Sequence, residues 1–358
     1  MDSVLVFNTG STSLSFHRYT SHSLELIYQG KYVFPHPLES KTDFLKFFRS
    51  ALREIGNVTD VLGIGHRVVH GGEAFNAPIV IDHENLTQLS ALDELAPLHN
   101  PWNIAGIEAC HEYLPDIPNV AVFDTAFYAM MPEISKLYAL PYQREIYRRY
   151  GFHGISHSDV LTQLSEIMKK PTTKLTIISC HLGGGASITL VERGIAIDTS
   201  MGFTPLEGLV MMTRSGDVDP GIVLHMAKQV VVGAATLLDA QKGILGLEND
   251  FYKSAGLKAL TGFNSYLEIL QHMEKGNVHA KDAFLLYVRK IKKYIGAYAA
   301  LVPKLDAICF TGSIGAGDPL TREAVLADLV WVKKVPVHVF PPREEYAIAH
   351  TVKQLLAL

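Results

Sequence analysis

Val4–Phe16 reads VLVFNTGSTSLSF: an apolar run breaks at Asn8 into a turn rich in Gly and hydroxyls, then resumes at Leu14. Two strand-like runs around such a break predict a hairpin whose tip offers backbone N–H and side-chain O–H groups to a ligand, although an ordinary surface turn would look the same. Further along, LTIISCHL runs into GGGAS, ITLVE follows, and a tight Arg193-Gly194 turn leads into IAIDTS. The opening has the same order: strand at 4–7, polar turn, strand at 14–18, short turn, strand at 24–33. A three-strand unit with a Gly/Ser-rich first turn therefore occurs twice. Between and after these units, strand-like segments (VLGIGHRVVH, NVAVFDTAF, DAICFT) alternate with helix-like ones (NPWNIAGIEACHEYL, HSDVLTQLSEIMKK, PLTREAVLADLVWVKK), which predicts an α/β protein with mixed sheets. The expectation is two related domains, with ligands in a cleft between them and each polar turn pointing into it. The border is placed near LPYQREIYRRYGFHG, giving a first domain of 1–147 completed by a returning C-terminal helix at 343–358, and a second of 148–342.

A chain of 358 residues, 48% hydrophobic and 19% charged, is long enough for two packed cores and is not that of a disordered protein. Its formal net charge of −4 lacks the basic footprint of a nucleic-acid binder, and the short RKIKK run at 289–293 reads as one solvated helix face. Three widely spaced cysteines (110, 180, 309) form no CxxC pattern, which speaks against a disulfide framework or a zinc site. No run approaches membrane-spanning length, and Asp2 ahead of a short strand lacks the basic start of a signal peptide. A cytoplasmic protein without nucleic-acid or membrane partners is expected.

Gly residues permit close backbone approach and a tight turn aims N–H groups at one point, so the two turns read together as two phosphate loops, Ser11, Thr12 and Ser13 in one and Gly183, Gly184 and Gly185 in the other. Arg67 in GHRVVHGGE and Arg214 in MMTRSGDVDP are cations among apolar and Gly residues; each needs an anion, either a structural carboxylate or an anionic substrate. Asp124 ends the apolar strand VAVFD, where α/β enzymes place bases and metal ligands, or where a carboxylate simply caps the next segment. His153 in RRYGFHGISH could donate to a phosphoryl oxygen or be an ordinary core histidine. FTGSIGAG resembles a strand, Gly loop and helix able to hold a nucleotide; without a following Gly-Lys-Ser/Thr it is not a Walker A loop.

The ordered set FNTGSTSL, GHRVVHGGE, LAPLHNP, VFDTAF, RRYGFHGISH, CHLGGGASI, DTSMGFTPLEGLVMMTRSGDVDPG and EEYAIA resembles the acetate kinase family over essentially the whole chain. That resemblance implies duplicated ribonuclease H-like domains of the actin-like ATPase type. It also implies reversible transfer of the ATP γ-phosphoryl group to acetate, giving acetyl phosphate and ADP, by a Mg²⁺-dependent homodimer whose second domain carries the nucleotide site and the dimer interface. It assigns Arg67 and Arg214 to the acetate carboxylate and the phosphoryl in flight, with Asp124 orienting substrate and metal. His153 and Arg214 stabilise the transition state, and Asn8 with Glu345 hold Mg²⁺. His99 and His181 match further active-site histidines, while Val69, Leu98, Phe152 and Pro205 match a small apolar pocket for the methyl group. Asp250, Phe251, Tyr252, Gly312, Ile314, Gly315 and Ala316 fall in the nucleotide region.

Departures from the family pattern cluster on the donor side. Ser15 stands where Lys is usual, Gly184 replaces Asn, Ala316 and Gly317 replace a polar pair, and Tyr128 replaces His. The chain is shortened around LENDFYKSAG, where Tyr252 takes the place of an Arg. Lost charge-assisted contacts of about 1.5–3 kcal/mol each make another donor, such as pyrophosphate, the alternative reading, with a non-catalytic binder of acyl phosphate or nucleotide as a further one.

Overall fold

The computed structural model describes residues 1–358 except 37, 39, 98 and 142–145. The chain forms two units: unit 1 comprises Met1–Met130, Phe152–Asp159 and Arg343–Leu358, and unit 2 comprises Met131–Gly151 and Val160–Pro342.

Unit 1 is built on a mixed sheet of β1 (Ser3–Thr9), β2 (Ser13–Thr20), β3 (Leu26–Val33), β4 (Val61–Val68), β5 (Ile79–Val80) and β6 (Asn119–Phe123), in the order β3-β2-β1-β4-β6-β5. β1 is apolar throughout because both its faces are covered. Leu5 and Phe7 pack with Phe44, Phe48 and Ala109, whereas Val4 and Val6 meet Ile348, Ala349 and Val352 of the helix Glu344–Leu355. That helix lies close to β4 because Gly63 and Gly65 have no side chains: a Cβ on either would strike Val352. On the opposite face, the helix Lys41–Ile55 starts at Ser40, whose hydroxyl accepts the Asp43 N–H, and ends at Gly56 with φ of 75°.

Unit 2 carries β7 (Thr176–Leu182), β8 (Ala186–Glu192), β9 (Ile195–Thr199), β10 (Ala307–Thr311) and β11 (Val337–Val339), ordered β11-β10-β7-β8-β9. The first three strands are antiparallel, and β10 runs parallel to both β7 and β11. This is the β3-β2-β1-β4-β6 order of unit 1 over again, so the duplication legible in the sequence is structural. Arg193 and Gly194, with φ of 51° and 84°, make the β8–β9 turn of the type in which both central residues are left-handed. Two expectations need correction. The helix expected over PLTREAVLADLVWVKK stops at Leu326, and Val330–Lys334 forms a separate 3₁₀ segment. RKIKK lies on the helix Val278–Ala299 but is not a wholly solvated face, since Ile291 is buried and Lys292 pairs with Asp328.

Cys110, Cys180 and Cys309 are buried free thiols. Among the described residues no helix is long and apolar enough to cross a membrane.

Candidate active site

In unit 1 the cation and the carboxylate singled out from the sequence meet. Arg67, next to last on β4, donates from Nε and Nη2 to the same oxygen of Asp124, at 3.0 and 2.6 Å. Asp124 follows β6, which pairs in parallel with β4, so the sheet register brings the two together. The Asp124 side chain is 3% exposed and that of Arg67 25%, leaving the guanidinium the accessible member of the pair. Burial pulls Arg67 down, but the Asp124 carboxylate, with Glu344 and Glu345 behind it, holds the guanidinium above its ordinary value.

The backbone after Arg67 is fixed from the helix Asn100–Tyr113. Asn103 accepts the Val69 N–H at 3.0 Å, and Asn100 both accepts the His70 N–H at 3.1 Å and donates to the His70 carbonyl at 3.0 Å. Nothing in the sequence reading marked these two asparagines; their spacing of three on one helix face, just behind LAPLH, is the signal that could have found them. Val69 and Phe152 are buried, and Phe152 meets the His70 ring edge-on at 5.5 Å while its carbonyl accepts the Tyr128 hydroxyl at 2.7 Å. Burial pushes His70 down to about 4, so the ring is neutral near pH 7. Tyr128 thus has a buried structural partner. His153 follows with φ of 59°, a left-handed backbone uncommon for a residue with a side chain, and Gly154 donates its N–H to the Asp124 carbonyl at 2.9 Å. His99 sits at the N-terminus of the helix Asn100–Tyr113. Leu98 lies outside the described residues.

The β1–β2 turn closes with a Gly10 N–H to Ser13 carbonyl bond of 2.9 Å, and the carbonyls of Ser11 and Thr12 accept N–H groups from Leu38 and Phe34. On this turn Thr12 is exposed and Ser11 and Ser13 are half-buried. Nearby, Glu345 accepts from the Asn8 amide at 3.1 Å and from Ser15 at 3.3 Å. Burial acts to raise both of the adjacent carboxyls. Glu344 goes up, whereas the Asn8 hydrogen bond and the His17 charge bring Glu345 below its ordinary value. Glu345 is therefore the more acidic of the two carboxyls. Asn8 and Glu345 supply the oxygen donors that suit a hard divalent cation taking few protein ligands. Among the described residues there is no group of three or more His, Cys, Asp or Glu that could hold a metal ion.

Unit 2 holds the other predicted residues. Gly183–Gly185 form the β7–β8 turn, closed by a Gly183 N–H to Gly185 carbonyl bond of 3.0 Å, and Gly184 accepts the Met212 N–H at 3.3 Å. A Cβ on Gly184 would meet nothing within 4 Å, so this glycine is a place of open access and not one of crowding. His181 on β7 is half-buried and stands opposite Ser187 on β8 and Thr311 on β10. Gly312, with φ of 80°, turns the chain out of β10 against the Leu182 backbone, where a Cβ has no room. Ile314 is buried, and the Gly315 and Ala316 carbonyls accept from Arg322 at 2.8 and 2.9 Å. Arg214 donates to the carbonyl of buried Pro205 at 3.2 Å. Asp250, Phe251 and Tyr252 share the π-helical turn Asp250–Ser254, whose Phe251 and Tyr252 carbonyls accept from Ser215 and Thr213 at 3.3 and 2.9 Å. Tyr252 is pushed up by burial, with its hydroxyl hydrogen-bonded to Thr204, so it packs beside the Pro205 and Arg214 segment.

The predicted residues thus form two sets. One contains Asn8, Ser11–Ser13, Arg67, Val69, Asp124, Phe152, His153 and Glu345; the other contains His181, the three glycines, Pro205, Arg214, Tyr252 and the Gly312 turn.

Comparison with known proteins adds three findings. The family model described as "Acetokinase family" matches residues 20–333. The acetate kinase of Alkaliphilus metalliredigens is 37% identical over 407 aligned residues, covering 99% of this chain and all of that one; as 407 exceeds 358, the relative carries segments with no counterpart here. Among solved structures, an acetate kinase from Porphyromonas gingivalis (TM-score 0.87, 34% identity) and a propionate kinase from Francisella tularensis (TM-score 0.88, 32% identity) each match 99% of this chain and 100% of their own.

Proposed function

We infer that this chain, which belongs to the acetokinase family, is an acetate kinase, a phosphotransferase with a carboxyl group as acceptor that forms acetyl phosphate and ADP from acetate and ATP and runs in reverse. The observation that carries the reading is the Arg67–Asp124 pair. A buried carboxylate holds an accessible guanidinium in one orientation, and the Asp124 carbonyl accepts the N–H of Gly154, the residue after His153.

Phosphoryl transfer asks for positioning and charge neutralisation more than for covalent participation. Arg67 receives the acetate carboxylate and keeps its charge while one carboxylate oxygen forms the new bond to phosphorus and ADP leaves. Arg214 and His153 balance the charge spread over the transferring phosphoryl oxygens. Backbone N–H groups of the glycine turn and the Ser11, Thr12 and Ser13 hydroxyls bind phosphate oxygens. The nucleotide is assigned to the Gly312–Ala316 turn and the Asp250–Tyr252 turn. Asn8 and Glu345 would hold Mg²⁺, which neutralises donor phosphate charge when bound. The methyl pocket is assigned to Val69 and Phe152, and a pocket of this kind separates acetate from propionate by about 1–3 kcal/mol, so propionate reacts weakly.

The helix Pro220–Gly233 supports a homodimer: none of its residues is buried, and Leu224, Val231 and Val232 are 62, 55 and 86% exposed, with Leu237 following at 78%. So large an apolar face on a 14-residue helix calls for a second copy to cover it. Sedimentation of the L224D/V232D variant as a single chain, against a parent of two, is the expected outcome; a single-chain parent overturns the dimer. The buried free thiols agree with a cytoplasmic location.

The function is tested by trapping acetyl phosphate with hydroxylamine from purified protein, acetate and Mg²⁺, with ATP and pyrophosphate supplied in parallel. Product with ATP is expected. Product with pyrophosphate alone would reassign the donor, and no product with either would leave a binder without chemistry.

A further inference from the structure

Pro205 and Arg214 ride on the segment 199–217, and Tyr138 and Arg149 grip that segment. Arg149 is the centre of the grip. Its Nη1 donates to the carbonyls of Thr199 and Met201 at 3.0 and 3.1 Å, and its Nη2 donates to Glu207 at 2.6 Å. The other Glu207 oxygen accepts the Tyr138 hydroxyl, and that hydroxyl accepts the Phe203 N–H at 2.9 Å. The guanidinium lies 5.5 Å from the centre of the Tyr138 ring. A Cβ on Gly202 would collide with both the Glu207 carboxylate and the Tyr138 hydroxyl, so the clasp closes directly on bare backbone. Downstream, the Gly208 N–H donates to Asp217 at 2.8 Å, and Tyr294 donates to the other oxygen of Asp217 at 2.7 Å.

Phe203 and Glu207, two of the gripped positions, bracket Pro205, and the Pro205 carbonyl accepts from Arg214 at 3.2 Å. The guanidinium assigned to the phosphoryl group is therefore bonded to a carbonyl that lies between Phe203, held by Tyr138, and Glu207, held by Arg149 and Tyr138. Neither member of the Arg149–Glu207 pair is a freely solvated surface ion, with side chains 17 and 32% exposed. Arg149's three bonds use the fixed fork of a guanidinium, a geometry that Lys cannot copy.

We propose that Arg149 is a positioning residue for phosphoryl transfer, acting through Glu207, Tyr138 and the Pro205 carbonyl to orient Arg214. The proposal rests on the acetate kinase reading. Its test measures kcat, KM for acetate, KM for ATP and melting temperature for the parent, Arg149→Lys, Glu207→Gln and Tyr138→Phe, and then for Arg149→Lys and Tyr138→Phe combined with Arg214→Lys. In the single variants kcat is expected to fall about tenfold or more while KM for ATP stays within about twofold. In the Arg214→Lys background the same changes should cost little further, because the group they orient is already impaired. Tyr138→Phe keeps the ring and removes only the hydroxyl, so it reads the clasp even if the Arg149 variant does not fold. An active parent whose variants lose melting temperature but not kcat overturns the clasp alone, as does a Tyr138→Phe loss that multiplies in full with Arg214→Lys. An inactive parent overturns the acetate kinase reading and the clasp with it.

Discussion

In unit 1 the turn between β1 and β2 is lined with hydroxyls, and the groups around it are held by side chains of the adjoining strands and helices: Asp124 on Arg67, Asn8 on Glu345, Asn103 on the Val69 backbone. In unit 2 the equivalent turn, between β7 and β8, is three glycines, and the one cation assigned to chemistry sits on a long segment outside the sheet, tied down by Arg149 and Glu207. One strand order serves both units. The difference teaches that a sheet can position a site in two ways, either by register between adjacent strands or by gripping an irregular segment from elsewhere in the unit. The first needs few residues and tolerates little change in them; the second spreads the same task over several contacts.

The largest effect expected from that contrast is at Arg67. Arg67→Ala strands a carboxylate that is 3% exposed, and removing one partner of a buried pair costs about 3–5 kcal/mol. Acetyl phosphate formation should drop by about three orders of magnitude with a lowered melting temperature; turnover within a few-fold of the parent would falsify the acceptor assignment. Next, Gly312→Ala forces a side chain onto a residue with φ of 80° against the Leu182 backbone, for a cost of about 1–3 kcal/mol or more read as a fall in melting temperature. An unchanged melting curve would mean that the turn out of β10 is not as constrained as its geometry states.

Acidification probes unit 1 through its buried imidazoles. Burial pushes His66 and His70 down to about 4, below the ordinary 6.5, so between those values the unfolded chain binds more protons than the folded one. Stability contributed by keeping these rings neutral is whole above pH 6.5 and is lost as the pH falls toward 4. His66, which shares a 2.7 Å hydrogen bond with Asn119, should account for part of the slope, and H66N should flatten the fall of melting temperature with acid. A slope identical to the parent's removes His66 from the account.

Two smaller effects sharpen the contrast. Val69→Ala removes two carbons from the proposed methyl pocket and should raise the propionate-to-acetate ratio of kcat/KM by about tenfold, within the roughly 1–3 kcal/mol such a pocket can discriminate; an unchanged ratio places the methyl group elsewhere. Gly184→Asn adds a side chain where nothing lies within 4 Å and should lower KM for ATP a few-fold with no change in melting temperature. If KM does not move, a side-chain amide at this turn contributes nothing to holding the phosphates.

Much of this site was legible from residue order. Asn-Thr-Gly-Ser-Thr-Ser and Gly-Gly-Gly are poor strand material placed between strands, so they announce turns, and their repetition announces a duplicated frame. Arg67 and Asp124 were legible as an unneutralised cation and a strand-end carboxylate. That they pair with each other was not, because 57 residues separate them and only the parallel register of β4 with β6 brings them together. Asn100 and Asn103 were illegible for a related reason: an asparagine near a helix start reads as a cap, and its bonds to a backbone some thirty residues earlier depend on how the helix packs.

By itself, the sequence determined the strand and turn grammar, the doubling of the frame and the kinds of charge the site would contain, because all of these follow from local pattern and the chemistry of single residues. Only the tertiary structure decided which carboxylate holds Arg67, that the adjacent Glu344 and Glu345 are shifted in opposite directions, and that Arg149 reaches across to the segment bearing Arg214. Each of these is set by the burial and distance of groups remote in the chain, and desolvation and hydrogen-bond geometry have no signature in sequence until packing brings those groups together.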